Sequence, residues 1–165
     1  MDMKKALVLS SVVAIGVGVC LGAGGVWGIA FTYGNVARER IVTPPDAAIP
    51  GAPVRGPLTL KAEADVIRKH TLETTGGKIF AEMPRQVPTF DEHGAEIIDA
   101  EGKPVMTVNT ARDIWITATT LTTALHLGIL TYVFSSLIIL FGCVSVWTGI
   151  VFALFGRRYI VAQTP

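Results

Sequence analysis

Two stretches of this chain carry no Asp, Glu, Lys or Arg: residues 6–37, which number 32, and residues 114–156, which number 43. A helix rises about 1.5 Å per residue and the hydrocarbon core of a bilayer is about 30 Å thick, so about 20 apolar residues cross it. Both stretches exceed that length. A soluble domain has about a quarter of its residues charged, whereas here 16% are charged and 50% are hydrophobic. The fold class this predicts is membrane α-helical: a two-span antiparallel hairpin carrying a small extracytoplasmic α+β loop domain. The predicted division is a cytoplasmic tail (1–5), a first transmembrane helix (6–33), the loop domain (34–113), an exposed start of the second helix (114–126), a second transmembrane helix (127–155) and a cytoplasmic tail (156–165).

The first stretch follows Lys4-Lys5, as a secretory signal would. A signal's apolar region is about 7–15 residues, and this one runs at least from Ala6 to Phe31. The small residues Ala23-Gly24-Gly25 make only a weak cleavage site, and Val19 stands before Cys20 where a lipoprotein site wants a small residue. An uncleaved anchor is expected. Lys4, Lys5, Arg157 and Arg158 place both tails in the cytoplasm, because positive charge stays inside. Arg38, Arg40 and Arg112 flank the other ends, but long loops translocate largely regardless of charge.

The second stretch would make a helix of about 64 Å, twice what a single span needs. It contains no Pro, Asn or Asp, so a tight turn between two short spans is not expected. One long helix is the simpler reading. Thr117, Thr119, Thr120, Thr122, Thr123 and His126 crowd its start, which puts the span near Leu127–Phe155. Trp27, Tyr33 and Trp115 are expected as outer interface anchors, Trp147 and Tyr159 as inner ones.

Small residues recur every seven positions in both stretches. They are Ser11, Gly18, Gly25 and Thr32 in the first, and Gly128, Ser135, Gly142, Gly149 and Gly156 in the second. A strict seven-residue repeat keeps one seam facing a partner when helices supercoil left-handedly. Small seam residues let backbones approach, which drives helix association in lipid. Ala14, Gly18 and Gly22 add a ridge at four-residue spacing. These are the candidate functional residues, as helix-packing positions.

The intervening residues 38–113 hold ten Lys or Arg and twelve Asp or Glu, a net charge of −2, and eight of the nine prolines. A domain of this size is marginal alone, so docking on the Thr-rich helix start is expected. Thr43–Pro57, with five prolines, is predicted to be extended and irregular. Thr59–Thr74 reads as a helix with Leu60, Ala64, Ile67 and Leu72 on one face, Thr59 as its cap and Gly76-Gly77 as its stop. Thr89–Val108 has turns at Asp91-Glu92-His93-Gly94 and Asp99-Ala100-Glu101-Gly102, a pattern that suits a small β-meander.

No nucleotide, zinc-protease or serine-hydrolase motif is present. Asp91, Glu92, His93, Glu96, Asp99 and Glu101 are the one acidic cluster that invites a divalent cation, but they lack the twelve-residue calcium-loop pattern and read more simply as polar turns. His70 reads as a solvated or docking residue, and His126 as an interfacial one. Cys20 and Cys143 both lie in apolar stretches, so no disulfide frames the loop. No catalytic residue, metal or cofactor is expected. The net charge of +1 offers nucleic acid no broad basic field.

Five stretches carry a family likeness: Arg38-Glu39-Arg40-Ile41-Val42-Thr43, Val54-Arg55-Gly56-Pro57-Leu58-Thr59, Ala64-Asp65-Val66-Ile67-Arg68-Lys69-His70, Thr75-Gly76-Gly77-Lys78-Ile79-Phe80-Ala81-Glu82-Met83 and Asn109-Thr110-Ala111-Arg112. With both apolar stretches, the chain resembles a family of small actinobacterial two-helix membrane proteins, many labelled "aromatic ring-opening dioxygenase LigA". That chemistry would need two histidines and a carboxylate converging on iron, and the histidines here are scattered. The resemblance implies topology and an envelope location and supplies no mechanism.

The expected function is that of a non-enzymatic envelope protein, an accessory or scaffold subunit in the lipid bilayer, with a membrane-protein partner or self-association. The alternatives are a metal-binding or enzymatic loop, exposed by titrating metals, and an oligomeric channel or transporter component.

Overall fold

The computed structural model of the protein describes residues 3–161. Its elements in chain order are α1 (Met3–Arg38), α2 (Pro57–Thr74), a 3₁₀ turn (Phe80–Glu82), β1 (Gln86–Pro88), β2 (Met106–Val108) and α3 (Thr110–Val161). The described residues divide into two compact units, 3–41 with 55–57 and 128–161, and 42–54 with 58–127. α1 and α3 are both long and apolar enough to cross a membrane.

In the first unit, α1 contains no proline and seven glycines. Each glycine costs a helix about 1 kcal/mol relative to alanine in water, so packing rather than propensity holds this helix. It ends where Glu39 N–H and Arg40 N–H turn back to the carbonyls of Val36 and Ala37, at 3.2 and 3.4 Å. Arg40 then takes φ 52°, a left-handed conformation uncommon for a residue with a Cβ. The later part of α3 runs antiparallel to α1: Gly156 lies by Leu7, Gly149 by Ser11, Gly142 by Gly18 and Gly25 by Ser135.

In the second unit, α2 begins at Pro57 rather than behind a Thr59 cap. Proline suits a first helical turn, where its missing N–H has no intrahelical acceptor. The predicted single apolar face is also too narrow. Leu60, Ala64 and Thr71 are buried, but so are Ala62 and Val66, about 200° around the helix from Leu60 and Ala64. α2 is therefore covered on two sides. It stops as expected at Gly76 and Gly77, whose φ angles are 62° and 80°, with Gly77 N–H bonded to Leu72 O at 2.7 Å.

The proline-rich stretch after α1 is a closed loop, not the extended segment its composition suggests. Val42 bridges Pro53, and buried Thr43 forms the hub. Its N–H donates to Ala52 O at 3.0 Å, its Oγ1 accepts from Ala52 N–H at 2.9 Å, and its hydroxyl donates to Ile49 O. The loop satisfies its own backbone from within, as compact surface loops do.

The meander expected over 89–108 is replaced by a three-way ring. β1 and β2 pair antiparallel, Pro88 opposite Met106; isolated bridges join Phe90 to Glu96 and Ile98 to Pro104. Thr89 N–H donates to Val105 O, Val105 N–H to Ile97 O and Ile97 N–H to Thr89 O, at 2.8, 2.8 and 2.9 Å. These residues are eight apart. Each repeat turns back after one N–H and one C=O have entered the ring, so a flat sheet never extends. The turns are tied by Asp91 Oδ1, which accepts from His93 and Ala95 N–H, both at 2.8 Å. Asp99 Oδ1 likewise accepts from Glu101 and Lys103 N–H, at 3.0 and 2.8 Å.

Candidate functional site

The small residues spaced by seven lie as follows. Among the described residues of α1, the buried ones are Ser11, Gly18, Gly25 and Thr32. On α3, Ser135, Gly142, Gly149 and Gly156 are buried, while Gly128 is half-buried. A Cβ built on Gly18 would stand 2.6 Å from Gly142 O, and one on Gly142 would stand 2.7 Å from Gly18 O. A Cβ on Gly25 would meet Ser135 O at 2.7 Å, and one on Gly149 would meet Ser11 O at 2.9 Å. Real Cβ atoms do not approach backbone so closely, so these three contacts are open only to glycine. Gly156 is looser, with Leu7 Cβ at 3.7 Å, an ordinary van der Waals distance.

Three features of this interface went unread in the sequence. Gly28 also packs on α3, with 2.5 Å from a built Cβ to Ser135 Oγ. Ser145, a polar residue in an apolar run, donates to Ala14 O at 2.8 Å. Buried Tyr132 donates to Arg55 O at 2.6 Å, and Arg55 donates to Tyr33 O–H at 3.2 Å. Residues 55–57 are thereby fastened to both long helices within the first unit. The only cues were Tyr33, expected as an interface anchor, and the Val54–Thr59 stretch, which carried the family likeness.

In the second unit, Trp115 is a core residue rather than an outer interface anchor: it is 6% exposed. Its indole N–H donates to Lys78 O at 2.8 Å and lies 3.2 Å from Thr75 Oγ1, and Arg68 stands 5.7 Å from its ring centroid. A buried indole needs such an acceptor. Arg112 stacks 3.8 Å over Phe80 and donates to Met83 O at 2.6 Å. Asn109 caps α3 through Oδ1 to Ala111 N–H at 3.1 Å, while its amide donates to Pro84 O at 2.9 Å. The start of α3 is thus docked on residues 75–85. Trp147 is exposed; the side chain of Tyr159, the other residue expected as an inner anchor, is outside the described residues.

His70 docks the closed loop, its Nε2 lying 2.9 Å from Asp46 Oδ2, which also pairs with Lys69 Nζ at 2.7 Å. Those hydrogen bonds, Lys69's first, draw the Asp46 carboxyl down from 3.8 to about 2. Glu63 is the opposite case. Burial pushes its carboxyl up, and its Oε2 has no hydrogen-bond partner among the described residues. A cleft of about 570 Å³ runs between α2 and the start of α3, lined by Ile67, His70, Thr71, Asp113, Thr117 and Leu121 among others. Thr120 and Thr122 do not line it; their hydroxyls bond back to Ile116 O and Ala118 O, both at 2.9 Å.

The acidic turn residues do not converge. Asp91 and Asp99 spend their Oδ1 atoms on their own turns, and among the described residues no three His, Cys, Asp or Glu side chains are grouped to hold a metal ion. His126 is exposed. The constructed feature of the first unit is therefore a backbone-to-backbone helix interface, and that of the second an open cleft between α2 and the start of α3. No family model, no curated protein and no solved structure matches the chain.

Proposed function

We propose that this chain is a two-span membrane hairpin carrying its loop domain on the extracytoplasmic side, and that it works as a non-enzymatic accessory or scaffold subunit of a larger membrane complex. The observation that carries the reading is the contrast between composition and burial. In the most apolar window of each long helix only 11% of the residues are buried. The core helix of a soluble protein would hide those side chains. Here Val12, Phe31, Phe134, Phe141 and Phe155, among others, point away from the helix pair, and lipid is the solvent that accepts them.

The glycine contacts also support an anchor that is kept. A leader removed after export has no partner to fit, whereas α1 meets α3 backbone to backbone at three levels. Lys4, Lys5, Arg157 and Arg158 favour cytoplasmic tails. An accessory role is supported by what the outward faces offer: apolar helix surfaces without a charge to line a path, and a loop in which Asp46 and Asp65 pair with lysines and Asp91 and Asp99 are tied into their own turns.

Affinity purification of the tagged full chain from native membranes in mild detergent, with mass spectrometry of what comes with it, tests the role. Co-purification of a defined membrane complex at a fixed ratio is expected. Recovery of this chain alone, at the size of a monomer, would remove the accessory-subunit reading.

A further inference from the structure

α1 and α3 bring four cations to one end of the hairpin. Gly156 lies against Leu7 and Val8, at 3.7 and 3.9 Å from a built Cβ; Lys4 and Lys5 are within one turn of Leu7, and Arg157 and Arg158 follow Gly156 directly. All four are exposed. The acidic side chain the sequence places near them is Asp2; from Met3 to Arg38 and from Ile114 onward there is none. Beside this cluster is a notch of about 250 Å³ lined by Val151, Leu154, Phe155 and Arg158. It is lined by three apolar residues and one arginine. Trp147, Val151, Leu154 and Arg158 are spaced for one helix face, so the apolar wall continues upward to an exposed indole.

Resting on the membrane-hairpin reading above, we propose that this end of the hairpin binds an anionic phospholipid, with its phosphate at Arg158 within the Lys4, Lys5 and Arg157 field and one acyl chain along Val151, Leu154 and Phe155. The class of ligand follows from the two chemistries of the notch. A free phosphate would use the cations and leave the apolar wall unfilled. A zwitterionic lipid would fill the wall and neutralise the field poorly. Clustered Lys and Arg next to a membrane helix attract anionic headgroups by about 1 kcal/mol each, a factor of about five in binding. Arginine suits phosphate in particular, since its planar fork donates two parallel hydrogen bonds.

The test is tryptophan quenching of the full chain in liposomes that contain either brominated phosphatidylglycerol or brominated phosphatidylcholine with the same acyl chains. Phosphatidylglycerol is expected to quench at lower mole fraction, and Trp27→Phe should leave that difference in place because Trp147 reports it. Arg158→Gln should reduce the preference about fivefold, and adding Lys4→Gln and Lys5→Gln should reduce it further by about the same factor each, with helix content by circular dichroism unchanged. Equal quenching by the two lipids in the wild type, or an undiminished preference in the triple variant, would overturn the lipid site while leaving the hairpin in the bilayer. Quenching by neither lipid would remove the membrane reading itself and the site with it.

Discussion

Gly18 and Gly142 face each other backbone to backbone, each standing where the other's carbonyl oxygen would touch a side chain: a Cβ on the first lies 2.6 Å from Gly142 O and one on the second 2.7 Å from Gly18 O. Added atoms in a filled interface typically cost about 1–3 kcal/mol. Gly142→Ala should lower the thermal stability of the detergent-solubilised chain by an amount in that range, and Gly142→Leu or Gly149→Leu by more. Gly24 is the control, because a Cβ there meets nothing within 4 Å. Gly24→Ala should be neutral or stabilising, by up to about 1 kcal/mol. Equal effects at both positions would mean that helix propensity, not the interface, decides stability.

Trp115 gives a prediction for the loop domain. Phenylalanine fills much of the same space but cannot donate, so Trp115→Phe removes the 2.8 Å indole hydrogen bond to Lys78 O, which keeps the Thr75 hydroxyl as its other donor at 2.8 Å. Losing one such hydrogen bond costs about 0.5–1.5 kcal/mol. Hydrogen exchange should accelerate over residues 75–85 and the first turns of α3, with the glycine contacts of α1 and α3 unaffected.

The closed loop should loosen in acid. Asp46, drawn down by Lys69 and His70 to about 2 from 3.8, contributes stability in full above its unfolded value. That contribution is lost as pH falls from 3.8 towards about 2. Amide protection in residues 42–53 should decline through this window, and Asp46→Asn should remove the dependence. Because the group is solvent-exposed, added salt should weaken the effect.

Glu63 works with the opposite sign. Its carboxyl is raised from 4.5 by burial, partly offset by His70, so its charged form costs stability as pH rises through the raised value. Glu63→Gln should stabilise the chain at neutral pH and have no effect well below 4.5, as measured by thermal melts at the two pH values.

Gly94 and Gly102 adopt φ of 79° and 77° in the two Asp-tied turns. Alanine in this left-handed region costs about 1–2 kcal/mol. Either substitution should speed exchange of the ring amides of Thr89, Ile97 and Val105 together, since each donates to another member.

What the sequence revealed depended on the range of the interactions. Absence of charge over 32 and 43 residues is a local property, and it yields two long helices whatever else the chain does. Gly76-Gly77 was readable for the same reason, because a left-handed stop is set by the residue itself. The Tyr132–Arg55 bond joins residues 77 apart, and no periodicity announces it. Trp115 carries an interface-anchor composition, but tertiary contacts with Thr75, Lys78 and Arg68 bury it. Five prolines suggested an extended stretch, yet Thr43 gathers that stretch into a closed loop by bonding Ile49 and Ala52. The eight-residue spacing of the Asp–Gly turns was visible, but the ring needs three repeats to bond in a circle, which spacing alone does not distinguish from a meander.

The membrane hairpin and its orientation are decided by labelling of Glu96→Cys, with Cys20 and Cys143 replaced by alanine, using a membrane-impermeant maleimide on intact cells followed by carbonate washing of the membranes. A labelled chain that stays in the washed membrane pellet is expected. Labelling only after permeabilisation would reverse the topology, and loss of the chain into the carbonate wash would contradict the membrane hairpin itself.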